Sequence, residues 1–199
     1  MEERTRPLVE WTVATRSLGS ESGDHYLVSR TEDGGVLVAV VDGLGHGPEA
    51  ASAAKTAIAV LEAGDEGEVG ARFLRCHECL RHTRGVVLSL GLFTTGCLTW
   101  LGVGNVDGVL LRSAFGAPEQ LLVRSGVVGR RLPSLALSRL AVAPGDTLIL
   151  ATDGIQSGFA EDRDVAFAAT VTAERILADH GKEDDDALVL VVRYLGPRV

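Results

Sequence analysis

Aromatic residues are only 5% of this 199-residue chain, cysteines number three, and basic residues (19) are outnumbered by acidic ones (27). So few aromatics leave little platform for stacking bases. The net charge of −8 repels phosphate backbones over a Debye length of ~8 Å. Nucleic acid is therefore disfavoured as a partner. An odd number of cysteines with no export segment argues against a disulfide framework. Met1–Pro7 (MEERTRP) is charged and lacks an apolar h-region, so no signal peptide is expected. Long hydrophobic runs are also missing: Val36–Val41 and Ala187–Val192 fall well short of the ~18 residues a membrane helix needs. The expectation is a soluble, cytoplasmic protein with no membrane partner. There is no linker, low-complexity tract or internal repeat, and at ~150 residues per domain the chain is expected to be a single domain over 1–199.

What is present is glycine and short apolar runs. The 24 glycines are about 12% of the chain against a usual ~7%, as a sheet with many tight turns requires. β-type runs are expected at Val9–Arg16, Tyr26–Arg30, Val36–Val41, Val86–Phe93, Cys97–Val103, Val109–Arg112, Gln120–Val123, Thr147–Thr152 and Ala187–Tyr194. VLVAVV, TLILAT and ALVLVV are apolar throughout, the pattern of strands buried on both faces. Helices are expected at Pro48–Ala63, Glu66–Arg84 and Arg163–Asp179, the first opening on a proline whose missing N–H costs nothing there. These elements predict an α+β fold: two antiparallel sheets face to face, with helices on the outer faces, in a four-layer α-β-β-α sandwich.

Four aspartates fall at strand ends. Asp42 and Asp153 directly follow apolar strands, each before a glycine, while Asp24 and Asp185 lie just before strands. Neighbouring antiparallel strands present opposite ends at one edge, so all four are able to meet at one rim. Each like-charge pair at ~5 Å costs about 3 kcal/mol at an effective dielectric of ~20. Oxygen-only ligation suits Mg²⁺ or Mn²⁺, and two such ions activate a bridging water and clamp a phosphoryl oxygen. Taken singly, each aspartate is also an ordinary turn residue; the joint pattern is what points to a metal centre.

SGD at 22–24, DGLGHG at 42–47, PGDTLILATDG at 144–154 and the Asp185-Asp186 pair before an apolar strand resemble the SpoIIE-type branch of the PPM metal-dependent protein serine/threonine phosphatases. Within it, the short RsbX-like stressosome phosphatases are most similar. The resemblance implies two Mn²⁺ or Mg²⁺ ions in a cleft at one end of the sandwich. It implies that Asp42 bridges them, that the Gly43 carbonyl ligates one, that Asp153 and Asp185 hold the other, and that Asp24 acts through water or as an outer ligand. The implied reaction is hydrolysis of phosphoserine or phosphothreonine by a water bridging the two ions. The implied substrates are phosphorylated STAS-domain proteins of the stressosome or of sigma-factor control. Two alternatives are a phosphatase of a free anti-anti-sigma factor and a catalytically silent STAS-binding module. The chain departs from the pattern where Gly23 replaces an acidic residue, and where Ala187-Leu188 follows the acidic pair in place of a threonine-bearing sequence. The Asp184–Asp186 run leaves the ligand ambiguous by one residue, with Asp185 aligning best.

His46, four residues beyond Asp42, is placed either as a general acid for the leaving serine oxygen or as an exposed loop residue. Cys76 and Cys79 form one CxxC where a structural zinc site wants two pairs; mid-helix, they read as core residues. Gly102–Val106 (GVGNV) lies between two strands, not between a strand and a helix, and reads as a hairpin turn; the resemblance makes Asn105 a neighbour of the cleft, beside a structural role in the turn. Arg84 either faces the cleft to hold phosphate or caps a helix end.

Overall fold

The computed structural model describes residues 7–63, 68–114, 117–160 and 169–197. Eleven strands form two sheets among these residues. The first sheet runs β1 (Val9–Arg16), β11 (Ala187–Tyr194), β10 (Thr147–Ala151), β6 (Asp107–Leu111) and β7 (Glu119–Gln120). The second runs β2 (Asp24–Arg30), β3 (Val36–Gly43), β4 (Val86–Thr94), β5 (Cys97–Val103) and β8 (Val123–Arg124), with β9 (Ser138–Ala141) also paired to β5. Pairing is antiparallel except between β5 and β8, which run parallel.

The all-apolar strands are explained by what covers each face. Along β3, Val36, Val38 and Val40 point between the sheets, where they meet Leu148 and Leu150 of β10, Leu188, Leu190 and Val192 of β11, and Trp100. The alternate residues Leu37, Ala39 and Val41 point outward, under α1 (Pro48–Glu62) and α2 (Val69–Cys79). Ala53, Ala54 and Ala57 let α1 lie close to that face. On the other side, Ile149, Val189 and Val191 pack against Ala173 and Ile176 of α3 (Ala169–His180). Side-chain alternation with period two therefore feeds two apolar interfaces from one strand, and the expected four-layer sandwich is the observed one.

The differences are local. The expected third helix begins inside residues 161–168, which lie outside the described residues, as do 66–67 of the expected second helix. The expected strand Gln120–Val123 is two short strands on different sheets, β7 and β8. Gly102–Val106 is not a hairpin turn, because β5 and β6 belong to opposite sheets. It is an arch that carries the chain across the sandwich, and it delivers Asn105 to one end. Of the CxxC, Cys76 is core as expected, fully buried with its thiol pushed up to about 12 by burial, whereas Cys79, expected to be core too, is exposed.

Asp146, in the turn before β10, is almost fully buried. Burial alone would raise its pKa, but the Ser113 and Ala143 N–H groups and the Arg112 guanidinium donate to its carboxylate and hold it below the usual range. This clasp fixes the end of β10 opposite the aspartate end, where the interest lies.

Candidate active site

The sheets bring the strand-end aspartates to one rim. Asp24 opens β2 and Asp42 closes β3, and the two are direct cross-strand partners, which puts Cβ atoms ~4.5–5.5 Å apart. Asp153 follows β10 and Asp185 precedes β11, strands that pair antiparallel in the other sheet. A cleft of about 610 Å³ opens between them, lined by Asp24, Asp42, His46, Asp153, Asp184, Asp185 and Asp186 among others.

Electrostatics in this cleft are one-sided. Burial pushes the Asp42 carboxyl up to about 8, with Asp24, Asp153, Asp185 and Asp186 adding to the shift, and none of these influences is a hydrogen-bond donor. Burial likewise takes Asp24 up to about 7; the Thr152 hydroxyl pulls it down, and Asp186, Asp153 and Asp185 push it further up. Asp185 is raised by burial and then by Asp153, with Lys182 opposing.

Three polar residues orient these carboxylates. The Thr152 hydroxyl donates to Asp24 Oδ2 at 2.7 Å while accepting from the Leu188 N–H at 2.9 Å, so one side chain ties both sheets together beneath the rim. Asn105 Nδ2 donates to Asp153 Oδ2 at 2.7 Å. Asp186 is turned away to clasp the β1–β2 loop, accepting from the N–H groups of Leu18 (2.8 Å) and Gly23 (3.0 Å). Of the acidic run, Asp186 is thus engaged by backbone, and Asp185 is the member whose charge couples first to Asp153.

The glycine of each Asp-Gly pair is required for a reason other than turn conformation, since neither has a positive φ. A Cβ on Gly43 would collide with the backbone of Ala50 in α1, and one on Gly154 with the carbonyl of Asp186. Both loops are locked against neighbouring backbone. Gly43 itself is buried behind Asp42, and its carbonyl oxygen lies 3.3 Å from where a Cβ on Gly23 would stand. That same Cβ would come within 3.7 Å of Asp42 Oδ1, so the bare Gly23 keeps open the space beside this carbonyl and this carboxylate.

Among the described residues, no three His, Cys, Asp or Glu side chains stand in one coordination sphere. Like charges repel, and Asp24 and Asp153 are each bonded to a neutral neighbour, Thr152 and Asn105. The donor set nevertheless fits a hard divalent cation. It is all oxygen, it includes a half-buried carboxylate, Asp42, to which no hydrogen bond is donated among the described residues, and a glycine leaves room beside it. His46 is exposed at the cleft edge. Sequence reasoning missed Thr152 and the Asp186 clasp. It placed Asn105 beside the cleft without a partner and left Arg84, which packs on Gly45, between two roles.

The family model for stage II sporulation protein E (SpoIIE) matches residues 32–195. Among solved structures, one from work on the bacterial stressosome as a modular system adapted to control secondary messenger signaling is 33% identical, with a TM-score of 0.82, covering 93% of this chain and 99% of that one. RsbX in complex with magnesium is 18% identical, TM-score 0.82, covering 98% of each chain. The PP2C phosphatase domain of SpoIIE from Bacillus subtilis, with a fragment of its regulatory domain, is 21% identical, TM-score 0.74, covering 93% of this chain and 63% of that one. No curated protein matches the chain. By the extent of the family match, the chain belongs to the SpoIIE family, the SpoIIE-like branch of the PPM-type metal-dependent protein serine/threonine phosphatases.

Proposed function

We propose that the acidic cleft holds two Mn²⁺ or Mg²⁺ ions and removes phosphate from phosphoserine or phosphothreonine on a STAS-domain protein of the stressosome or of sigma-factor regulation. The observation that carries this reading is the Asp24–Asp42 cross-strand pair facing Asp153 and Asp185 from the second sheet. Asp42 would bridge the ions, with the Gly43 carbonyl on one and Asp153 and Asp185 on the other. Asp24, already bonded to Thr152, would act from the outer sphere. The ions supply an activated water at neutral pH and neutralise phosphoryl charge.

The chain's own groups do the rest. Thr152 and Asn105 hold Asp24 and Asp153 in fixed orientations, as outer partners of ligating carboxylates do. Asp186 keeps the β1–β2 loop over one side of the cleft through its two backbone bonds. His46, exposed at the cleft edge, would donate the proton to the departing serine or threonine oxygen. The stressosome assignment is supported by the 33% identity to a chain solved in that context. Among the described residues no helix is long and apolar enough to cross a membrane, which accords with action on a cytoplasmic partner.

The test is phosphate release from a panel of phosphorylated STAS proteins, with and without Mn²⁺. Release that needs Mn²⁺ and is confined to one or a few of the panel is expected. Release unaffected by chelation would contradict the metal mechanism, and Mn²⁺-dependent release from none of the panel, with activity elsewhere, would contradict the partner. His46→Ala is expected to slow release from phosphoserine about 10²-fold or more but to spare an aryl phosphate, whose leaving group needs no acid; equal effects on both would remove the general-acid role.

A further inference from the structure

The acidic cleft has a neighbour that shares part of its wall. A second cavity of about 410 Å³ shares Asp42, Gly45 and Asp153 with it and continues past Val87, Gly126 and Val127. Arg84 packs on Gly45, which lines both. Its Nη1 lies 2.8 Å from where a Cβ on Gly45 would be, and Gly45 has a φ of +87°, so the guanidinium rests directly on the loop backbone. Arg130 backs it: its Nε donates to the Arg84 carbonyl at 3.2 Å, and its Cγ lies 3.1 Å from where a Cβ on Gly85 would be. The two lysines near the cleft are otherwise engaged. Lys55 pairs with Glu21 at 3.1 Å, and the Lys182 ammonium donates to the Asp153 carbonyl at 2.5 Å.

We propose that Arg84 is the phosphate-positioning residue: its guanidinium takes the non-reacting oxygens of the substrate phosphate, and the chain bearing that phosphate runs out along the second cavity past Val87 and Val127. This deepens the phosphatase reading of the same site and rests on it. Glu49 holds Arg84 in place through Nε, but the pair is open to water, with side chains 46% and 70% exposed. Such a pair contributes ~0–1 kcal/mol, so little opposes its exchange for a phosphate dianion. A planar guanidinium binds that dianion through two parallel N–H bonds. Beside a cleft lined by carboxylates, a cation held against Gly45, three residues beyond Asp42, supplies the attraction that brings an anionic substrate in.

The test uses the Mn²⁺-loaded full chain with p-nitrophenyl phosphate as substrate and inorganic phosphate as ligand. Arg84→Ala is expected to raise KM about 10–100-fold, the effect of losing a charge-assisted hydrogen bond. It should weaken calorimetrically measured phosphate binding by the same factor, with kcat and Mn²⁺ binding little changed. Arg84→Lys, which keeps the charge and loses the fork, should recover part of both losses and guards against a folding defect in the alanine variant. Wild-type KM and phosphate affinity in Arg84→Ala, beside an inactive Asp42→Asn, would overturn the role of Arg84 and leave the phosphatase reading standing. A wild-type chain with no Mn²⁺-dependent activity would overturn that reading and this role with it.

Discussion

Replacing Asp42 by asparagine is expected to abolish Mn²⁺-dependent phosphate release while making the metal-free protein more stable. The two effects have one cause. Asp42 is the carboxylate most strongly disfavoured as an anion, its pKa pushed up to about 8 by burial and by four other aspartates. Asparagine keeps its shape and removes the charge. Each pKa unit is worth ~1.4 kcal/mol, so at pH above 8 the stability gain is on the order of a few kcal/mol. The activity loss should be at least ~10³-fold, beyond the ~10–100-fold expected for an outer-sphere partner. Asn105→Ala, which removes only the bond to Asp153, supplies that smaller comparison. Chemical denaturation in chelator and phosphate release in Mn²⁺ measure the two halves. An Asp42→Asn protein that is less stable in chelator, or that retains activity, would contradict the assignment.

Thermal stability of the metal-free protein is expected to fall as pH rises from about 5 to 8.5. The sign follows from linkage. Asp24 and Asp42 have native pKa values raised from 3.8 to about 7 and about 8. Between the unfolded and folded values the native state binds more protons than the unfolded one, so ∂ΔG/∂pH is negative. The stabilisation is complete below 3.8 and is lost as pH passes through about 7 and about 8. Mn²⁺ competes with these protons, so its stabilising effect should grow over the same range. At a hundredfold excess over Kd it amounts to about 2.7 kcal/mol per site, or roughly 5–10 °C for a chain of this size. Scanning calorimetry at pH 5.5 and 8.0, with and without Mn²⁺, checks this. A shift as large at the lower pH would mean that the ions bind elsewhere.

The layers of the fold were legible because the apolar runs allow only one arrangement. A strand such as Val36–Val41 with no polar face has to be covered on both sides, and Val38 and Ala39 indeed meet different layers. The aspartates were legible because each sits at the junction of an apolar strand and a turn. Contacts between distant segments were not. Asp186 clasps Gly23 across 163 positions and Thr152 reaches Asp24 across 128, and neither leaves a local periodicity. The arch at Gly104-Asn105 looks like a hairpin in sequence, because a crossing between sheets and a turn within one use the same residues. Arg84 beside Gly85 looks like a helix end, and the packing of its guanidinium on Gly45 is another contact between distant segments that leaves no local pattern.

The central claim is that Asp24, Asp42, Asp153 and Asp185 form one cation site built from both sheets. Calorimetric titration of the intact chain with Mn²⁺ at pH 8, beside Asp42→Asn, tests it most directly. Two equivalents bound by the wild-type chain, and loss of both in the variant, are the predicted result. Failure of the wild-type chain to bind Mn²⁺, or unchanged binding in Asp42→Asn, would contradict it.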